Sequence, residues 1–327
     1  MTSQTQRQPA AALACPAGDG HAERARLSAS RRSVATFGVL LLGLLAALSV
    51  VVPSAPAGAN TVRSTAPPFD LALGGSGSVG FQPTFTHPHG QRTDSGYAND
   101  LALRERSRWP RLTLIQLGCP GMTTLTMIGG GGHCLYDDGS ELETALSFLH
   151  AHPSTVLITV DLGFNNVVSC LHAMKVDDSC VDDALATVRS QLPQILTALQ
   201  RAAPPGASII GVGHYDPFLG DALRGSHGAA FAHASLPVID RLNGVLRAAY
   251  AQAGVPMANV GAAFDLGATA PVHVPGLGTV PTDVARTCSL TWMCTARPLG
   301  PNSHPNDDGY SVVSRALAST LAHLKSD

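Results

Sequence analysis

The sequence predicts an α/β fold, in which helices cover both faces of a mainly parallel sheet. Short runs rich in Val, Ile and Leu alternate along the chain with longer amphipathic segments, the order typical of parallel strands joined by helices. Hydrophobic residues make up 45% of the 327 residues and aromatic residues only 5%. Ala, Leu and Val therefore fill the core, and with no internal repeat we expect one domain.

Five strands and five helices are predicted. The strands are 69–74, 112–117, 156–162, 208–213 and a weak fifth within 255–264. The helices are 96–108, 140–150, 182–203, 234–253 and 308–324. Ligands bind beyond the carboxyl ends of such strands, so the turns that follow them are the candidate site.

The N-terminal 60 residues predict targeting, because a basic stretch with four arginines precedes an uncharged apolar run at 37–52 and an Ala-Pro-Ala sequence. A signal peptide has this order. An uncleaved N-terminal membrane anchor is the alternative. We expect a linker over 61–68 and the domain over 69–327, outside the cytoplasm.

Six cysteines of the predicted domain fall into three close pairs. Six cysteines allow 15 pairings, and their grouping along the chain suggests Cys119–Cys134, Cys170–Cys180 and Cys288–Cys294. A zinc site is disfavoured because no C-x-x-C pair occurs. Charged residues are 13% and the net charge is −2, and beyond the N-terminal stretch there is no basic patch of the kind that nucleic-acid-binding proteins have.

Four segments carry possible chemistry. Ser76 follows the first strand between glycines, Gly121 follows the second, and Asn165 follows the third. His304 precedes the last helix in G-P-N-S-H-P-N-D-D-G-Y. Each segment alone is also compatible with an ordinary turn or an exposed loop. The motif His214-Tyr215-Asp216-Pro217, after the fourth strand, is expected to line the cleft rim.

In this order the four segments resemble the signature blocks of the SGNH (GDSL-type) hydrolase superfamily, over roughly residues 69–320. The sequences L-G-C-P-G-M-T-T, H-Y-D-P-F-L and N-S-H-P-N-D-D-G-Y resemble a secreted actinobacterial branch of esterases and lipases. The resemblance implies a flavodoxin-like three-layer α/β/α sandwich with a mainly parallel five-stranded sheet.

The resemblance also implies roles for residues. Ser76 would be the nucleophile and His304 the general base. Gly121, Asn165 and the Ser76 N–H would form the oxyanion hole. No metal or cofactor is implied, and loop histidines His87, His89 and His133 lack the helical spacing of a metal site.

Three aspartates usual in the family are missing. Gly75 replaces the aspartate before the nucleophile, Asn166 follows Asn165 in place of another, and Pro301 stands three residues before His304. We expect the backbone carbonyl of Pro301 to orient the histidine instead.

The predicted function is a secreted carboxylic ester hydrolase, an esterase or lipase with Ser–His acyl-enzyme chemistry. A catalytically degenerate SGNH-fold binding protein and an acyltransferase with the same acyl-enzyme are the alternatives. The expected partner is a small or lipid acyl ester, with no nucleic acid and at most transient contact with the membrane or cell envelope.

Overall fold

The structure, a computed structural model, describes residues 66–324. The predicted leader, 1–60, and residues 61–65 of the predicted linker lie outside the described residues. Within 66–324, no helix combines the length and the apolar character that crossing a bilayer requires.

The central sheet has five parallel strands. In chain order the strands of the described residues are β1 Phe69–Gly74, β2 Thr113–Gln116, β3 Thr155–Asp161, β4 Leu171–His172, β5 Lys175–Val176, β6 Ser208–Val212, β7 Met257–Ala258, β8 Pro271–Val274 and β9 Gly278–Pro281. The sheet order is β2-β1-β3-β6-β7, and every neighbouring pair is parallel. The remaining strands form two small antiparallel hairpins, β4–β5 and β8–β9. The predicted five-stranded parallel sheet is confirmed.

Helices cover both faces of this sheet. They are α1 Tyr97–Glu105, α2 Thr124–Gly129, α3 Glu141–Ala151, α4 Phe164–Val168, α5 Asp178–Ala202, α6 Gly225–Gln252, α7 Val260–Ala263, α8 Thr282–Leu290 and α9 Asp307–His323, with 3-10 helices at Ser76–Val79 and Pro217–Leu223. Helices α3, α5 and α6 pack with Leu71 and Leu73 of β1, whereas α1 and α9 pack with Ala72. Because side chains alternate along a strand, one strand serves two hydrophobic layers. The three-layer α/β/α sandwich is therefore present.

Two predicted elements differ from the structure. Helix α6 begins at Gly225 rather than at 234, and Gly228 explains part of the extension. Its backbone packs so tightly on the preceding 3-10 helix that a Cβ there would lie 2.2 Å from the Asp221 carbonyl oxygen. The fifth strand is short because Asn259 caps α7 directly after it, accepting a hydrogen bond from Ala262 N–H at 3.1 Å.

The three cysteine pairs suggested by their grouping form disulfides. Cys119–Cys134 closes the loop between β2 and α3, Cys170–Cys180 joins the β4–β5 hairpin to α5, and Cys288–Cys294 joins α8 to the segment before His304. Two of these bridges lie on segments that carry predicted site residues. Each bridge limits the freedom of the unfolded chain and thereby stabilises the fold.

Candidate active site

The carboxyl end of β1 turns sharply into the 3-10 helix that begins at Ser76. Gly74 has φ +109°, and a Cβ at this position would lie 2.0 Å from the carbonyl oxygen of Asp161, so the turn requires glycine. The Gly75 N–H donates to the same Asp161 oxygen at 2.7 Å, and the Ser78 hydroxyl donates to the Gly75 carbonyl at 2.7 Å. These bonds fix the backbone on both sides of Ser76.

The segment between α8 and α9 carries His304. Trp292 N–H donates to the His304 carbonyl at 3.1 Å, and its own carbonyl accepts from Asn302 N–H at 3.2 Å. From the side of β6, the Tyr215 hydroxyl donates to the Ser303 carbonyl at 2.7 Å. The position of the histidine is therefore set by the central sheet as well as by its own loop.

Ser76 and His304 meet although they are 228 residues apart. The Ser76 Oγ lies 2.9 Å from His304 Nε2. Asn302 Oδ1 accepts from the His304 backbone N–H at 3.0 Å and lies 2.7 Å from its Nδ1. An oxygen acceptor at Nδ1 places the ring hydrogen there, which leaves Nε2 unprotonated and able to accept the serine proton.

The expected role of the Pro301 carbonyl is wrong. The atom that bonds His304 Nδ1 is the side-chain oxygen of Asn302. Asn302 forms a local turn in which its oxygen already accepts the His304 N–H, so the same oxygen is presented to the ring. A neutral amide dipole, rather than a carboxylate, therefore orients this histidine.

Burial lowers the pKa of His304 to about 4 from its usual 6.5. Desolvation disfavours the charged imidazolium, and no carboxylate contributes to the shift. The ring of Phe81, with its centroid 4.9 Å from that of His304, forms part of this apolar surrounding. At neutral pH the histidine is consequently in its neutral, proton-accepting form.

Gly121 and Asn165 line the same cavity as Ser76 and His304, a cavity of about 240 Å³. Gly121 has φ +81°, a conformation that favours glycine. The Asn165 amide nitrogen donates one hydrogen to the Met122 carbonyl at 3.1 Å, and an amide carries a second. The structure thus brings together all four residues that the signature blocks predicted. His214 and Tyr215 also line this cavity, whereas Asp216 and Pro217 of the same predicted motif do not.

Asn166 joins the third predicted turn to the second. Its side-chain oxygen accepts from Thr124 N–H at 3.1 Å, and its nitrogen donates to the Thr124 hydroxyl at 2.9 Å. An ionised aspartate has no donor for the second bond. The asparagine therefore holds the start of α2 close to α4 through one acceptor and one donor.

Sequence reasoning missed Glu141, which holds the turn between β1 and Ser76. The side chain is fully buried, and its Oε1 accepts from Gly74 N–H at 2.5 Å. Tyr136, two residues after Cys134 of the first disulfide, donates its hydroxyl hydrogen to the Leu117 carbonyl at 2.7 Å, and the same hydroxyl oxygen lies 3.1 Å from Glu141 Oε2. Burial raises the pKa of Glu141 to about 8, against the lowering effects of Gly74 N–H and the Tyr136 hydroxyl.

Sequence reasoning also missed Asp161, the last residue of β3. Its carboxylate lines the cavity, and its Oδ1 lies 3.9 Å from His214 Nδ1. The sequence contains a signal for this residue, because an aspartate ends the apolar strand V-L-I-T-V-D. Burying a charged side chain costs free energy unless it is paired or hydrogen-bonded, so such a residue is a candidate for a functional role.

The loop histidines His87, His89 and His133 belong to no group of three or more metal-ligating side chains within residues 66–324. His133 instead lies beside Gly121, where a Cβ would be 3.3 Å from its ring.

No protein-family model and no curated protein matches the chain. Among solved structures, it is similar to phospholipase A1 from Streptomyces albidoflavus NA297, with 19% identity, a TM-score of 0.48, and coverage of 78% of this chain and 99% of that one. An extracellular lipase from Streptomyces rimosus has 18% identity and a TM-score of 0.48, with coverage of 78% and 100%. Est24, a carbohydrate acetylesterase from Sinorhizobium meliloti, has 15% identity and a TM-score of 0.43, with coverage of 79% and 100%.

Replacing Glu141 tests its structural role. Glu141→Ala leaves the buried Gly74 N–H without an acceptor, and we expect the free energy of unfolding to fall by about 1–3 kcal/mol or more. Glu141→Gln keeps an acceptor oxygen and should recover most of that loss. Urea denaturation at pH 7 measures the free energy of unfolding of both variants. An equal free energy of unfolding for Glu141→Ala and the wild type would contradict the stabilising role of Glu141.

Proposed function

We propose that this protein is a serine hydrolase of the SGNH (GDSL-type) class that cleaves carboxylic esters. The observation that carries the proposal is the 2.9 Å contact between Ser76 Oγ and His304 Nε2. This contact lies in a cavity that Gly121 and Asn165 also line. The resemblance of four separate segments to one family and their convergence at one cavity support each other.

The proposed mechanism begins when His304 Nε2 removes the Ser76 proton and Oγ attacks the ester carbonyl carbon. The backbone N–H groups of Ser76 and Gly121 and the second amide hydrogen of Asn165 then donate to the oxyanion of the tetrahedral intermediate. The imidazolium returns its proton to the leaving alcohol. Water, deprotonated by the same histidine, hydrolyses the acyl-enzyme and restores the serine.

The size of the cavity favours small esters. Its volume of about 240 Å³ is below the roughly 300–1,000 Å³ common for sites that enclose a drug-sized ligand. A short acyl or alcohol group fits inside, whereas a long chain has to extend into solvent.

The disulfides support an extracytoplasmic location for the enzyme. Three bridges form within the described residues, and such bridges persist in oxidising compartments. The leader predicted from the sequence would deliver the domain there, as expected for a member of the secreted actinobacterial branch.

The contacts of Asn302 and Glu141 argue against a degenerate binding protein. Asn302 supplies an acceptor for His304 Nδ1, and Glu141 accepts from Gly74 N–H in the turn before Ser76. The site therefore keeps a positioned base and a braced nucleophile.

Ser76→Ala and His304→Ala test the proposal. Either variant should lose at least about 10³-fold in kcat/KM for a p-nitrophenyl acetate substrate, because attack and proton removal act as a unit. A fluorophosphonate probe should label the wild type at Ser76 and fail to label either variant. Hydrolysis retained in Ser76→Ala, or labelling at another serine, would overturn the assignment.

Substitutions at Asn302 test how the histidine is oriented. Asn302→Ala removes the acceptor at Nδ1, and we expect kcat to fall by up to about 10²-fold through misorientation of the ring. Asn302→Asp restores an acceptor and adds a charge that stabilises the imidazolium. Its activity should exceed that of Asn302→Ala, whereas equal activity of all three proteins would contradict the role of Asn302.

The pH dependence of kcat/KM tests the protonation state of His304. Because burial lowers its pKa to about 4, the neutral base persists as pH falls through 6.5, and activity should decline only below about pH 5. Asn302→Asp should shift this acid limb to higher pH. A wild-type limb centred near pH 6.5 would contradict the desolvated histidine.

A further inference from the structure

One acidic side chain, that of Asp161, is among the described residues that line the cavity. Asp161 is only 12% exposed in its side chain, yet it lines the cavity. Among the described residues that line this cavity, none is a lysine or an arginine. The basic group beside it is a histidine, His214, whose Nδ1 is 3.9 Å from Asp161 Oδ1.

The carboxylate lies against the nucleophile turn. A Cβ on Gly77 would be 2.4 Å from Asp161 Oδ2, so the absence of a side chain at 77 allows this approach. Gly77 directly follows Ser76, and neighbouring Cα atoms are about 3.8 Å apart. The carboxyl group is therefore within the reach of a small substrate bound at Ser76. Burial raises the pKa of Asp161, and His214 lowers it.

Two polar side chains lie near the carboxyl group. His214 Nε2 lies 3.0 Å from the Leu162 carbonyl oxygen, while its Nδ1 is on the side of Asp161. The Tyr97 hydroxyl, on a residue only 1% exposed that lines the cavity, is both a donor and an acceptor.

Aromatic side chains surround the same space. Three of the chain's five tyrosines line the cavity, together with two phenylalanines: Tyr97, Tyr215, Tyr310, Phe81 and Phe164. Aromatic rings attract cations through their quadrupole, most strongly in desolvated sites. A carboxylate among aromatic rings is the chemistry that recognises an organic ammonium.

From these contacts we infer that the cavity selects esters that carry a compact alkylammonium group, with Asp161 as its counter-ion. The inference rests on the proposed function and names its substrate class. The ammonium lies at Asp161, beside Gly77, while the ester carbonyl lies at Ser76. Anionic esters are excluded by the same charge.

A pair of thioesters of equal shape tests the inference. Acetylthiocholine carries a trimethylammonium group, and 3,3-dimethylbutyl thioacetate has a carbon in place of the nitrogen. At pH 8 the wild type should prefer the cation by about tenfold or more in kcat/KM. In Asp161→Asn the ratio of kcat/KM for the cationic ester to kcat/KM for the neutral ester should fall to about one. Because both esters are measured with the same variant, a general loss of activity cancels in this ratio.

Asp70→Asn is the matched control. Asp70 is a buried aspartate of the neighbouring strand β1 that does not line the cavity, so the same substitution there should leave the ratio unchanged. A wild-type ratio of one or less, or an unchanged ratio in Asp161→Asn, would overturn the inference.

Tetramethylammonium tests the cation site without an ester. The result therefore does not depend on whether the acyl part or the alcohol part of the substrate carries the charge. It should inhibit hydrolysis of p-nitrophenyl acetate in the wild type more strongly than tert-butanol does, and this difference should vanish in Asp161→Asn. It should also raise the unfolding temperature of the wild type relative to sodium chloride at equal ionic strength.

The two proposals fail differently. If no ester is hydrolysed, the proposed function is contradicted, and the unfolding measurement still decides the cation site. If esters are hydrolysed without preference for the cation and tetramethylammonium has no effect, only the cation site is contradicted.

Discussion

The hydrogen bond between Ser76 and His304 joins the first strand to the segment before the last helix, and the rest of the site depends on it. Its two ends are held by different layers of the molecule. The serine turn is fixed by Glu141, which accepts from Gly74 N–H, and by the Cys119 N–H, which donates to the Gly74 carbonyl at 2.9 Å. The parallel sheet makes this arrangement possible, because strands that run the same way end at one edge.

The electrostatics of this pair differ from those of a triad with an aspartate. Asn302 orients the ring by a dipole, so the resting imidazole is neutral and its pKa is low. The imidazolium formed during attack then receives less stabilisation than a carboxylate would give. In the proposed mechanism, more of the transition-state stabilisation would then come from the oxyanion donors. One of these, Asn165, is held by its hydrogen bond to the Met122 carbonyl.

The alternation of strands and helices, the residues of the four turns and the cysteine pairs could be predicted because each depends on local sequence. The role of Glu141 could not, since an acceptor for Gly74 N–H, 67 residues away, is selected only when the layers pack. Asn302 is an intermediate case: an asparagine two residues before the histidine is a turn signal that predicts its oxygen near that backbone. The resembled family usually has an aspartate three residues before the histidine, so the prediction named Pro301, which stands at that position here. The start of α6 was missed because the close approach of Gly228 to Asp221 is also a tertiary contact.

In the proposed mechanism, Asp161 would connect substrate choice to the chemistry. Two like charges repel by about 4 kcal/mol at 4 Å and an effective dielectric constant of 20, and by half as much at twice the distance. An oxyanion that forms at Ser76 therefore incurs a cost from the carboxylate beside Gly77 when nothing neutralises it. A substrate ammonium bound to Asp161 removes this repulsion before the oxyanion develops. The same carboxylate would then penalise neutral and anionic esters in the transition state, so that discrimination appears in kcat as well as in KM.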